Sequence, residues 1–337
     1  MQPETQFKTV LYTGDGADRN IDVGFEADFV WIKKRDSSSH HRLYDRVRGN
    51  GQTLLSSVTS AEYDGVNDGI NFDYANGFNI DVGVNAEYYN NSGSPYVAWC
   101  WKAGGTAVSN TDGSITSQVS ANVDAGFSIV SYTGSGSAGA TVGHGLTQAP
   151  EMVIYKRRDS VANWIIKSSV FGVDEYLIFT TDQKDSDSGV FWNSTLPTST
   201  VYSLGNSLSV NGSSATYIAY CFHSVEGFSK FGSYVGNGST NGPFVYTGTG
   251  FKPAFVMIKR TDNVGNWWLF DAARNTYNVI DDYLYADTSS AEASWDTLDF
   301  LSNGFKLRVA TYQPNTLGGT FIYMAFAENP FKYATGR

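Results

Sequence analysis

The chain has 337 residues, room for two or three domains, and a net charge of −10 at pH 7 with a pI near 4.8. That acidity opposes the phosphate backbone, which excludes nucleic acid as an expected partner. No apolar run is long enough for a membrane-spanning helix, and Met1-Gln2-Pro3-Glu4-Thr5-Gln6 lacks the basic and apolar segments of a signal peptide, so synthesis in a cytoplasm is expected.

The expected elements come three times. A strand at residues 7–12 runs into the turn Tyr12-Thr13-Gly14-Asp15-Gly16, where glycine supplies the positive φ that a tight turn requires. Next comes Phe29-Val30-Trp31-Ile32-Lys33, ending in the basic turn Lys33-Lys34-Arg35-Asp36. This turn and its counterpart Lys156-Arg157-Arg158-Asp159 read as solvated strand ends. Short strands follow at 41–45, 69–74 and 78–82, and a closing strand at 96–100. The order returns with strands at 127–132, 152–156, 164–167 and 217–221, and again at 228–234, 255–259, 268–271 and 321–325. Asn76-Gly77-Phe78-Asn79 is echoed by Asn303-Gly304-Phe305-Lys306, with Gly205-Asn206-Ser207-Leu208 as the weaker counterpart in the second unit. Boundaries near 106–123, a polar and turn-rich stretch, and 222–233 give three units, 1–110, 111–225 and 226–337. The shortness of the second link holds units two and three close together.

Many short strands separated by Gly, Asn, Asp and Ser turns define an all-β chain: three tandem repeats of a β-sandwich module, jelly-roll or lectin-like. No amphipathic helix of three turns stands out. The closing strands are apolar on both faces: Tyr96, Ala98 and Cys100 point one way, Val97, Trp99 and Trp101 the other. A two-layer sandwich leaves one face to water, so these strands are covered by a loop or meet another repeat or subunit.

The residues that carry chemistry are sparse. Cys100 and Cys221 hold equivalent positions, filled by Ala325 in the third unit, which reads as a small apolar slot. His40 and His41 point to opposite faces of a strand, and His144 and His223 stand alone, so no zinc site is expected. Asp182, Asp185 and Asp187 lack the ending of a calcium loop, and Asp281-Asp282 is not a carboxylate pair on a concave sheet. Expected catalytic, cofactor-binding and metal residues are therefore none, and the chain reads as a non-enzyme. Sugar binding suits a sandwich better, with aromatic faces as platforms. Trp31, Trp164, Trp267 and Trp268 are the candidate ligand or partner surface. Trp267 and Trp268 are adjacent in a strand, so one of them should face outward.

The segment from Gly24 to Arg35, with Tyr44-Asp45-Arg46-Val47-Arg48-Gly49, Tyr96-Val97-Ala98-Trp99-Cys100-Trp101-Lys102-Ala103-Gly104-Gly105, Asn110-Thr111-Asp112-Gly113-Ser114-Ile115, Gly143-His144-Gly145-Leu146 and Ala325-Phe326-Ala327-Glu328-Asn329-Pro330-Phe331, resembles an uncharacterised repeat family in tail-fibre-like structural proteins of marine and cyanobacterial bacteriophages. The resemblance implies a virion protein of the tail or capsid surface with lectin-like modules. It implies other virion proteins as partners, a host surface glycan as receptor, and a homo-oligomer, a trimer by preference. It brings no catalytic residues. The repeats begin near residue 7 with no coiled-coil shaft ahead of them, which fits a distal tip, a short spike or a decoration protein. A polysaccharide depolymerase ranks third, behind host attachment and decoration.

Overall fold

The computed structural model describes residues 2–65, 68–248, 250–310 and 313–327, and over these the chain is all-β, with only two three-residue 3-10 turns, Pro3–Thr5 and Ala86–Tyr88. The family-like segment Glu328-Asn329-Pro330-Phe331 lies outside the described residues.

Three antiparallel sheets share one strand order. Across the first run Phe7–Thr13, Pro95–Trp101, Phe29–Lys34, Arg42–Asp45 and Leu54–Leu55. Across the second run Phe127–Thr133, Thr216–Phe222, Met152–Arg157, Ile165–Ser168 and Glu175–Ile178. Across the third run Ser229–Val235, Thr320–Ala327, Pro253–Arg260, Trp267–Asp271 and Ile280–Tyr285. In every unit the opening and closing strands pair, so each unit is closed by residues far apart in sequence.

A second, smaller layer covers one face of each main sheet. In the first unit it is Arg19–Asp22, Gly77–Asp81 and Gly69–Asn71; in the second, Ala140–Gly143 with Val201–Leu204. In the third unit, Phe244–Tyr246, Gly304–Leu307 and Ala293–Leu301 continue the main sheet, which curls over through Ile280–Tyr285. Each unit has its own core between these layers. Ile21, Phe78 and Ile80 meet Val30 and Cys100 in the first; Val142 and Tyr202 meet Val153 and Cys221 in the second; Val245, Phe305 and Leu298 meet Val256 and Ala325 in the third.

Two expectations are corrected. The second unit's counterpart of Gly77–Asp81 is Val201–Leu204, not residues 205–208, because it is Val201–Leu204 that pairs with Ala140–Gly143 as Gly77–Asp81 pairs with Arg19–Asp22. The stretch 106–123 is not a simple linker: Val108–Asn110 and Ser117–Asn122 are strands that extend the second sheet beyond Phe127–Thr133. Their polar composition reflects an edge, where one face meets water.

The closing strands explain the arrangement of the whole. Tyr96, Ala98 and Cys100 enter the first unit's own core, while Val97, Trp99 and Trp101 enter a different one. That other core is common to all three units. It joins Phe7, Phe29, Trp31 and Trp99 with Ile129, Ile154, Ile218 and Tyr220, and with Phe231, Phe255, Met257 and Met324. Each main sheet thus presents its second apolar face to the other two, and the three form a ring closed by one polypeptide. Burial of each Phe, Leu, Ile or Met there is worth roughly 1.5–3 kcal/mol, so the shared core is a principal source of stability.

Candidate functional site at the junction of the three units

Pairing registers define equivalent positions. Lys33, Lys156 and Lys259 are the penultimate residues of the strands Phe29–Lys34, Met152–Arg157 and Pro253–Arg260, and all three are fully buried. This corrects the reading of the basic turns as solvated. The Lys156 ammonium donates to the carbonyls of Ala162 at 2.6 Å and of Thr59, in the first unit, at 3.0 Å. The Lys259 ammonium donates to Gly265 and, across to the second unit, to the Thr180 carbonyl at 3.2 Å. The Lys33 ammonium donates to the carbonyls of Lys34 and Ser37. Their hydrogen bonds go to backbone carbonyls, and burial pushes each pKa down to about 8.

Opposite these lysines stand His41, Trp164 and Trp267. The Trp164 indole donates to the Leu55 carbonyl of the first unit at 2.9 Å, and the Trp267 indole to the Ile178 carbonyl of the second at 3.1 Å. His41 takes the same place and lies against the Tyr285 backbone of the third unit, while its Nδ1 accepts the Trp31 indole N–H at 2.9 Å. That bond leaves the neutral ring's proton on Nε2. Burial and the neighbouring Lys33 hold His41 well below the ordinary imidazole pKa.

A third set locks two of the three junctions. Asp45 and Arg48 pair within the first unit, both wholly out of water, and Glu62 links Arg48 to Arg158 of the second unit. Asp271 and Arg274 repeat the pair in the third unit, and Glu292 links Arg274 to Arg35 of the first. The basic residues that look like loose strand ends are therefore fastened to the next unit.

All four candidate tryptophans are inside. Trp31, Trp164 and Trp267 belong to the common core, and Trp268 to the third unit's own core. The expectation that Trp267 or Trp268 faces water is overturned for a clear reason: the strand is sandwiched between two cores, so both faces are covered. The two cysteines are buried and free, and burial pushes both thiols up. Asp182 accepts the Thr180 hydroxyl, Asp187 caps the amides of Gly189 and Phe191, and Asp281 and Asp282 both accept from the Asn275 amide. Among the described residues no three His, Cys, Asp or Glu side chains come together as a metal-binding group.

Sequence reasoning missed three asparagines, Asn90, Asn211 and Asn315, each fully buried. Each accepts a backbone N–H from the turn after the opening strand, from Asp15, Ser135 and Asn237, and returns its amide to carbonyls of the same region. Their recurrence, shortly before each closing strand, was the available signal. They also explain the first glycine of the Tyr-Thr-Gly turn. A Cβ on Gly14, Gly134 or Gly236 would sit 2.2, 2.3 and 2.3 Å from a backbone oxygen of the asparagine loop, so close approach rather than positive φ demands glycine there. Gly16 and Gly136, at φ +75° and +74°, do supply the turn conformation.

At one end of the junction the equivalent residues Ser57, Thr180 and Asp287 line a single cavity of about 230 Å³, together with Val58, Thr59, Asn163, Trp164, Ile178, Phe179 and Thr181. The common core itself is nearly filled; the space between Trp31, Trp101, Tyr220 and Met324 amounts to about 10 Å³, too little for a ligand.

The family model described as a domain of unknown function, DUF7483, matches residues 2–330, a span that takes in all three units. The chain belongs to that family. No curated protein and no solved structure matches it.

Proposed function

We propose that this chain is a non-enzymatic virion structural protein, part of a tail fibre, spike or tip, that attaches the particle to a host surface glycan. The observation that carries the reading is the ring itself. One chain spends its buried charges, indoles and phenols on holding three β-units together, which suits a rigid mount better than a catalyst. The resemblance to tail-fibre-like repeats supplies the virion context and, with it, the expectation of a homo-oligomer, a trimer by preference.

A particle-bound decoration role is the second reading, and one observation favours it. Phe244 and Tyr246 are 45% and 53% exposed on the edge strand Phe244–Tyr246, whose middle residue Val245 turns inward. The outward positions of the matching strand in the first unit hold Asn20 and Asp22. A flat aromatic edge present in one unit of three fits docking against another virion protein.

The test is a binding screen of the purified chain against a glycan array and intact candidate host cells. Saturable binding to a glycan supports attachment. Binding to neither, with retention on phage particles that is lost in Phe244→Ser/Tyr246→Ser, moves the assignment to decoration.

A further inference from the structure

We infer that the open flank of the third unit, between the edge strands Ser229–Val235 and Phe244–Tyr246, takes up an extended segment of another virion protein as an added strand; this rests on the reading of the chain as a component of the particle and names how it is joined there. The second unit has the same flank filled. There Ser117–Asn122 pairs antiparallel with Phe127–Thr133, and Val108–Asn110 pairs outside it. Between those strands the chain crosses to the small layer, where Ile115 bridges Val142 in parallel and donates its N–H to the Thr141 carbonyl at 2.9 Å. The Thr141 N–H donates to the Ser114 hydroxyl at 2.9 Å, and the Ser117 hydroxyl to the Gly143 carbonyl at 2.9 Å. One extended segment thus satisfies the edges of both layers, and its Ile115 and Val119 join that unit's core.

The third unit has no such segment. Its link from the second sheet is short and reaches only the start of the opening strand, where Val225 bridges Ser229 and the Ser224 hydroxyl accepts the Phe231 N–H at 3.1 Å. Beyond that point the Gly236 N–H bonds to the Gly319 carbonyl, so alternation along the antiparallel pair turns the N–H and C=O of Ser233 and Val235 outward. In the small layer Leu307 donates to the Pro243 carbonyl and Thr247 to that of Asn303, each at 3.2 Å, which by the same alternation turns Phe244 outward as well. Among the described residues nothing pairs with the N–H or C=O of Ser233, Val235 or Phe244.

Apolar side chains line this open backbone. Val235, Phe244 and Tyr246 are exposed along it, whereas the first unit guards the matching edge with Asn20 and Asp22. Polar and charged residues protect an edge against pairing; an apolar edge with free N–H and C=O groups is a template for it. In strand addition the main-chain hydrogen bonds supply affinity and the side chains select. Residues 114–122 set the chemistry of the occupant: an extended Ser- and Thr-bearing segment with aliphatic residues, parallel to Phe244–Tyr246 and then antiparallel to Ser229–Val235. Tyr323, which stands where the second unit has Ala219, lies over Gly232 and donates its hydroxyl to the Tyr246 carbonyl at 3.3 Å. The third unit's core is therefore closed without the segment, and the occupant comes from outside the chain.

The experiment follows amide hydrogen exchange of the full chain, with a synthetic peptide of residues 108–122 as the probe. The same peptide carrying Ile115→Pro and Gln118→Pro, which lacks two of the donors, is the control. In the free chain the amides of Ser233 and Phe244 are expected to exchange at least about tenfold faster than their counterparts Ser131 and Thr141. The peptide at millimolar concentration slows them about tenfold, the proline peptide does not, and Phe244→Ser/Tyr246→Ser weakens the protection without moving the thermal transition. Slow exchange at both amides in the free chain, or no protection by the peptide, overturns strand addition. If Phe244→Ser/Tyr246→Ser then still abolishes retention on phage particles, docking through this edge stands by another mode; if the wild-type chain is not retained at all, the particle reading falls as well. Protection that grows with protein concentration and needs no peptide gives the flank to a second copy and overturns the assignment to another virion protein.

Discussion

The Trp99 indole of the first unit donates its Nε1–H to Oδ2 of Asp271 in the third unit, 3.0 Å away and sealed from water. Tyr220 occupies the matching place in the second unit and donates its hydroxyl to Asp45 of the first at 2.8 Å. The third closing strand has Met324 there, which has no such donor. The residues that correspond to the aspartate and arginine at the remaining junction are Ser168 and Phe171, and Phe171 joins Met324 in the common core. Donor, acid and base are thus present together at two junctions and replaced together at the third. A buried ion pair and well-packed apolar residues are physically interchangeable solutions, provided that no partner is left behind.

That interchangeability sets the expected mutational pattern at the first junction. Tyr220→Phe leaves Asp45 paired with Arg48 and costs about 1–2 kcal/mol. Arg48→Met strands a buried carboxylate and costs about 3–5 kcal/mol. Urea unfolding of the two variants measures both, and equal losses would show that the pair is not the dominant contact.

The asparagine pins give a second expectation. Asn211→Ala removes the acceptor of the Ser135 amide and the donor to the Ser137 and Gly205 carbonyls, all buried or half-buried, for a loss of about 2–3 kcal/mol. Gly134→Ala is as harmful despite adding only a methyl group, because its Cβ meets the Gly212 carbonyl. Thermal unfolding checks both. A Gly134→Ala chain that melts with the wild type contradicts the close approach.

Much of this fold is legible in the sequence, and the failures share a cause. The triplicated strands, the all-β class and the two-faced closing strands could be read from Phe29-Val30-Trp31-Ile32-Lys33 and Tyr96-Val97-Ala98-Trp99-Cys100 with their counterparts. What periodicity does not say is which partner covers a second apolar face. Adjacency in a strand puts one of Trp267 and Trp268 outside because a lone sandwich has an outside at that strand; in the ring it has none. The turns at Lys33 and Lys156, to which Lys259 is equivalent, read as solvated because a lysine beside an aspartate usually is. Here backbone carbonyls from the adjacent loop, and for two of the three also from the neighbouring unit, replace the water. The candidate cavity was hidden for the same reason, since Ser57, Thr180 and Asp287 meet only across three units.

The buried lysines predict an unusual pH response. Each has a native pKa of about 8 against 10.5 when unfolded, and Lys167, also at about 8, adds a fourth. Between those values the unfolded chain binds more protons, so stability rises with pH, by up to about 1.4 kcal/mol per pH unit for each lysine. Above pH 10 the buried tyrosines, such as Tyr132 and Tyr155, reverse the trend because burial raises their pKa. At the acid end His41 stays neutral in the native state while the unfolded ring takes up a proton below about pH 6.5, so stability falls there. Urea midpoints are expected to climb from pH 7.5 to 9.5, and Lys156→Met is expected to flatten that climb. A midpoint that declines steadily above pH 7.5 contradicts the burial of the ammonium groups.

The central claim is that three β-units share one core and therefore one folding equilibrium. Native-state hydrogen exchange of the closing strands Pro95–Trp101, Thr216–Phe222 and Thr320–Ala327 tests it most directly. The ring predicts that the slowest amides of all three strands open with the same free energy, equal to that of global unfolding. Three distinct opening energies, one for each unit, would contradict it.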